Sequence, residues 1–594
     1  MGIDRSKIES KFKWNIDEMY SNKEAVESDI SKVKELILKA KEYKGKLEDS
    51  KNNLLEALNI SEKASQMLQN LYVYTHMKQH EDTRINVNQG MATKTDMLST
   101  ELSMATSYMI PEIISINDKK LEEYLKDEKL SFYDKYIKDI LREKPHTLSE
   151  SEEEILAATS DLSGVPENVY DMLSFADLEF PEIEDEDGNK VKLSHSNFSV
   201  FLKSKNSRVR KDAFKATYSV YDKYKNTFAS TLYGGIKGEI FYSKIRKYNS
   251  ALEASLFQDD ISKDVYTNLI AAVDENLDTL NKYVDIKKQL LGLEEIHMYD
   301  LYVPLTDKFD MKIPYEKAQG IILEALKPLG DEYLSIIKRA FSENWIDVYE
   351  NEGKQGGAYS WGSYDSHPFI LMNYKDDLNS LFTLIHELGH SVHSYYSRTS
   401  QPYIYSNYKI FVAEVASTLN ELLLINYLLD NSESKEERIY LLNYYLEQFR
   451  TTVYRQTMFA EFEKLTHESV ESGEPLTADE FNNIYYKLNE KYYKQSTIVD
   501  EQIGLEWARI PHFYSNFYVY KYATGFSAAS ALSQQILEEG QPAVDRYLEF
   551  LKSGSSDYPL NQLRAAGVDM EKKEAVDKAL HIFKELVEKL EKEI

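Results

Sequence analysis

Residues Leu378 to Tyr396, LNSLFTLIHELGHSVHSYY, place His386, Glu387 and His390 in the pattern H-E-x-x-H. A helix turns about 100° per residue, so the two histidines fall roughly 40° apart on one face, close enough to hold one ion. Imidazole suits zinc, and a catalytic zinc keeps three protein ligands and one position open to water. Glu387 turns away from the pair yet is long enough to take a proton from a water that the ion acidifies towards a pKa of about 7. Leu378, Leu381, Phe382, Ile385, Leu388 and Val392 recur at three- and four-residue spacing. That spacing gives the same helix an apolar stripe to bury away from the histidines.

The third ligand has to come from another element. The extended pattern H-E-x-x-H-x-x-G-x-x-H needs glycine and histidine where this chain has His393 and Tyr396. The next helical segment, from Phe411 to Glu421, carries Glu414 and Glu421 seven residues apart on one face. Glu414 is the candidate third ligand. Glu421, two turns on, could anchor a ligand histidine through its second ring nitrogen. The polar stretch between Arg398 and Tyr408 suits a connection between two helices packed side by side.

These residues need a large scaffold, and 594 residues are enough for several domains around substantial cores. No cysteine is present, which removes disulfides and thiolate metal sites. A net charge of -28 disfavours nucleic acid and anionic membranes as partners. No apolar run is expected to span a bilayer, so the protein is expected to be soluble, unexported and cytoplasmic. The 45 tyrosines suit cavity walls that hold a polar ligand, as well as ordinary packing.

The periodicity predicts a mainly α protein. Residues 1–195 form a helical region closed by a β-hairpin around Asp187-Gly188-Asn189, and 196–594 carry the H-E-x-x-H helix. Trp345 to Tyr374, rich in glycine, reads as a small sheet directly before that helix, with Phe369 to Met372 as a buried strand. An edge strand there could pair with an extended peptide, with Gly356, Gly357 and Ala358 as its substrate-binding segment. Ile510 to Gly525 is dense in aromatics, and helical spacing would put Tyr514, Tyr518 and Tyr522 on one face with His512 at its start. Such groups could donate hydrogen bonds to a developing oxyanion, or simply form a tyrosine-rich core helix.

With HELGH at 386–390, FVAE at 411–414 followed by Glu421, and His512 with its tyrosines, the chain resembles oligoendopeptidase F in the thimet oligopeptidase-like family of zinc peptidases, over essentially its whole length. The resemblance implies one zinc ion per chain on His386, His390 and Glu414, Glu387 as base, Glu421 behind the ligands and His512 as a substrate-contacting histidine. An ungapped match would put Phe517, Lys521 and Thr524 at the family's tyrosine positions, so Tyr518 and Tyr522 are preferred, with Tyr514 and Tyr520 as competitors. It further implies a two-lobed helical body with a deep central channel that admits short peptides. The expected activity is endopeptidase cleavage of oligopeptides. An exopeptidase on the same site is the alternative, and a non-catalytic peptide-binding scaffold a more distant one.

Overall fold

The computed structural model describes residues 3–306 and 311–594. The protein is 71% helical, with only small sheets, as the helical periodicity requires. The chain divides into two compact units of three segments each. The first comprises Met1–Pro145, Asp310–Tyr427 and Leu532–Gly567, and the second His146–Phe309, Leu428–Ala531 and Val568–Ile594.

The first unit contains helices Lys23–Lys41, Lys51–Glu81 and Asn86–Thr106, and side chains cap the starts of the first two. The Asn22 and Ser50 side chains accept the amides of Ala25 and Asn53, satisfying donors that a helix start leaves open. Val26, Ile30, Val33 and Ile37 bury against Ala64, Leu68, Leu71, Leu98 and Leu102. The far end of Lys51–Glu81 supports a three-stranded sheet. Val73 and Met77 pack with Trp14 and Ile16 against Phe369 and Leu371.

That sheet follows an N-terminal-side hairpin in chain order. The hairpin joins β1 (Glu182–Glu184) to β2 (Lys190–Lys192) in the second unit, with Gly188 at φ 82° in the turn. The sheet in the first unit contains β3 (Ile346–Asp347), β4 (Tyr359–Trp361) and β5 (Phe369–Leu371), in the order β3-β5-β4. β5 is buried, parallel to β3 and antiparallel to β4, which leaves β4 on an edge. β3 is tied down by charge. Asp347, 1% exposed, pairs with Arg5 at 2.5 Å and Lys354 at 2.6 Å, while Arg5 also meets Glu81 at 3.0 Å. Burial would raise the Asp347 carboxyl, but Arg5 and Lys354 outweigh it and hold it below its usual range.

Two helices carry the candidate site, Leu378–Ser400 (the histidine helix) and Ile410–Asp430 (the glutamate helix). The predicted apolar stripe of the first is buried throughout, and Asp377 caps it by accepting the Ser380 amide at 2.8 Å. The glutamate helix is long and apolar enough to cross a membrane, contrary to the expectation that no segment would be. Its sequence is largely apolar, and Phe411, Val412, Val415, Leu419 and Leu422 are core residues.

Asp347→Ala should destabilise the first unit by about 3–5 kcal/mol, because it strands Lys354 as an unpaired buried cation. Urea unfolding followed by tryptophan fluorescence would read this as an earlier first transition; an unchanged midpoint would contradict it.

Candidate metal centre

The histidine and glutamate helices meet at Gly389. A Cβ there would lie 2.6 Å from the Ser417 Cα and 2.7 Å from the Ala416 carbonyl oxygen. Only a residue without a side chain permits this approach. Asn420 fastens the contact, donating to the Ile385 carbonyl at 3.3 Å and accepting from the Tyr333 hydroxyl at 2.8 Å.

This approach brings Glu414 to the imidazoles. Its Oε2 lies 3.4 Å from the Nε2 atoms of both His386 and His390, which are themselves 3.2 Å apart. Bonds of about 2.0–2.1 Å to a tetrahedral zinc put ligand atoms roughly 3.3–3.4 Å from one another. The three groups therefore match such an ion, and they are the one set of three possible ligands found among the described residues. Ser417 steadies the carboxylate through a 2.9 Å hydrogen bond to the same Oε2.

Glu421 lies 2.5 Å from His386 Nδ1, on the far side of the ring from Glu414. This fixes the tautomer that leaves Nε2 free for a metal. Burial alone would lower the His386 pKa, but the bond to Glu421 and the charges of Glu421, Glu387 and Glu414 raise it to about 9 in the metal-free protein. Burial would raise Glu414, and the histidines outweigh it, bringing it down to about 2. Glu387 is 7% exposed, and burial raises its carboxyl despite the two imidazoles, while the backbone of Ser360 in β4 favours its charged form slightly. His393 stands apart. It stacks on Tyr408 with centroids 3.6 Å apart, and burial lowers its pKa to about 3.

Gly356, Gly357 and Ala358 lead into edge strand β4, with Gly356 and Gly357 exposed. Tyr359 and Trp361 pair with Leu371 and Phe369. By strand alternation the backbone groups of Ala358 and Ser360 face the free edge.

In the second unit, 510–525 is not the single helix that its spacing suggested. A 3-10 turn covers Pro511–Tyr514, Phe517 has φ 48°, and the α-helix starts only at Tyr520. Buried Glu463 accepts the Phe517 amide at 3.1 Å and holds this bend. The bend sorts the tyrosines. Tyr518 and Tyr522 rings lie 5.4 Å apart, and Tyr522 lies 6.1 Å from His512, which is exposed. Tyr514 instead bonds Thr231 at 2.6 Å, and Tyr520 is buried against Tyr266. The structure thus gathers His512, Tyr518 and Tyr522 and turns Tyr514 and Tyr520 inward.

Residues 200–582 match the sequence pattern of Peptidase family M3, and residues 112–180 that of Oligopeptidase F. The chain belongs to peptidase family M3. Its relatives include oligopeptidase PepF of Bacillus subtilis, 49% identical over 99% of this chain and 88% of that protein. The crystal structure of oligoendopeptidase-F from Enterococcus faecium is 38% identical, covers 96% of this chain and 98% of its own, and superposes with a TM-score of 0.74. A structure from Chlamydophila abortus, 36% identical and covering 100% of both chains, reaches 0.95.

As an M3 metallopeptidase acting on oligopeptides, the chain needs a metal, and the His386, His390 and Glu414 set fits one. Reading the sequence found that set. It missed Ser360, Ser417 and Glu463. The small residues Gly389, Ala416 and Ser417, aligned between the two motifs, were an available signal for the close helix contact.

Below pH 9 a metal entering the site must displace the His386 proton, so zinc affinity should rise about tenfold per pH unit from near pH 6.5 and level off above 9. Glu421→Gln should weaken binding about 10–100-fold and flatten that slope. Competition with a chelator across this range measures both, and a pH-independent affinity in the unaltered protein would contradict the protonated His386.

Proposed function

We propose that the chain is a zinc endopeptidase that hydrolyses internal bonds of short oligopeptides, with His386, His390 and Glu414 as ligands and Glu387 as general base. The ligand spacing of 3.2–3.4 Å carries this reading. Two imidazoles and a carboxylate, with no cysteine in the chain, make a catalytic zinc set. Bound there, the ion would supply a Lewis acid for the scissile carbonyl and would lower the pKa of an attacking water.

Glu387 takes the proton of that water and passes it to the leaving amine. Burial lifts its carboxyl from its ordinary value, towards the range in which a group both accepts and returns a proton near neutrality. Glu421 orients His386. The free edge of β4, reached through Gly356, Gly357 and Ala358, would receive an extended peptide backbone. His512, Tyr518 and Tyr522 would donate hydrogen bonds to the oxyanion. His512 is exposed as a residue, but its ring is partly desolvated, and this, followed by the charge of Arg455, lowers its pKa, so it acts as a neutral donor. Tyr514 and Tyr520 are assigned to packing.

The named relatives, an oligopeptidase and an oligoendopeptidase-F, support short peptides as substrates and internal cleavage. The family patterns end at 180 and begin at 200, which supports a catalytic region from about residue 196. The bacterial relatives and the acidic, cysteine-free composition support a cytoplasmic role with no nucleic-acid or membrane partner.

Glu387→Gln should keep its metal and lose about 10²–10⁴-fold in rate, read by metal analysis together with a quenched-peptide assay. Undiminished turnover would remove Glu387 from the mechanism. A peptide blocked at both termini should still be cut; its survival, while the free peptide is trimmed, would replace the endopeptidase by an exopeptidase.

A further inference from the structure

The second unit buries two groups of charged side chains whose signs do not balance. In one group Glu447 serves two cations, Lys287 at 3.1 Å and Arg450 at 2.7 Å. In the other Glu506 serves Arg455 at 2.6 Å and Arg509 at 3.2 Å, and also accepts the Tyr485 hydroxyl at 2.7 Å. The Lys287 and Arg450 side chains are 1% exposed, and those of Arg455 and Arg509 are 18% and 25% exposed. No other carboxylate among the described residues pairs with these four cations. Burial lowers the Lys287 pKa to about 8, which still leaves it largely protonated at neutral pH. Two carboxylates therefore face four cations in surroundings where an unmatched charge is costly.

The two groups meet on one cavity of about 160 Å³, whose wall includes Arg450, Arg455, Arg509 and Glu506. The guanidiniums are held in place by aromatic faces. Arg450 lies 4.7 Å from the Tyr302 ring centroid, Arg455 4.5 Å from Phe459 and Arg509 5.0 Å from Phe198. Asn489 lines the same wall, fully buried, with its side-chain oxygen unpartnered. That atom can accept from a water accompanying a ligand. Much of the remaining wall is apolar, including Leu202, Phe214, Met458 and Ile503. Such a wall disfavours multiply charged, strongly hydrated ions.

We propose that this cavity binds a small singly charged anion, held by the guanidiniums of Arg450, Arg455 and Arg509. A halide ion and the carboxylate of a small organic acid share the required chemistry, since guanidinium donates to both. Binding also has a consequence beyond charge balance. Burial is the main cause that lowers the His512 pKa and the charge of Arg455 the second, so an anion beside Arg455 would offset the smaller of the two.

The test uses the full-length protein at constant ionic strength, replacing sodium gluconate stepwise by chloride, bromide or acetate. The melting temperature should rise and saturate. In Arg509→Gln the concentration for half the effect should increase about tenfold or more, the loss expected for one charge-assisted hydrogen bond. Chloride and bromide acting without acetate identify a halide site, and acetate acting alone identifies a carboxylate site. Crystals soaked in bromide should show anomalous density among the three guanidiniums; this needs no variant and decides the matter if Arg509→Gln fails to fold. Bromide found only on the protein surface, or equal titrations for Arg509→Gln and the unaltered protein, would overturn the proposal.

Discussion

The metal set depends on how closely two helix backbones approach. Gly389 lies against Ala416 and Ser417 with no room for a methyl group, and Glu414 and Glu421 stand on either side of this contact along one helix. One carboxylate thus reaches the Nε2 side of His386 and the other its Nδ1 side. Helix pitch fixes the interval between the glutamates, and the glycine contact fixes their distance from the imidazoles. Asn420, bonded to Ile385 and Tyr333, prevents the helices from sliding. Packing density sets the ligand geometry before any ion enters.

What the sequence revealed follows the same division. Spacings within one helix survive folding unchanged, so His386 with His390, Glu414 with Glu421 and the buried stripe from Leu378 to Val392 could all be read directly. The Asp-Gly hairpin and the glycine-rich sheet were legible from local turn chemistry. The bend at Phe517 was not, because a left-handed residue other than glycine is set by a distant partner, here Glu463. The Ser360 amide was equally hidden, since backbone donors leave no compositional mark. The interleaving of three chain segments in each compact unit arises from long-range packing that periodicity does not encode.

Charge clusters in the two units are balanced differently. Around β3, Arg5, Lys354 and Lys78 meet Asp347, Glu81 and Asp17, so three cations face three carboxylates. In the second unit Glu447 and Glu506 each serve two cations. Arginine and glutamate are usually surface residues, so neither arrangement was apparent from residue type. The first anchors a sheet, and the second leaves an excess of cations along one cavity wall.

The brevity of β4 restricts what its edge can do. A long unoccupied edge strand offers a donor and an acceptor at every second residue, and a docking chain can slip along it in steps of two. Here the strand is only three residues long, and Tyr359 and Trp361 are paired with β5, so Ser360 alone within it faces outward. A polypeptide laid along this rim would find one rung within the strand, and a two-residue shift would carry it off the end. The short edge thereby sets the alignment of whatever lies across the sheet.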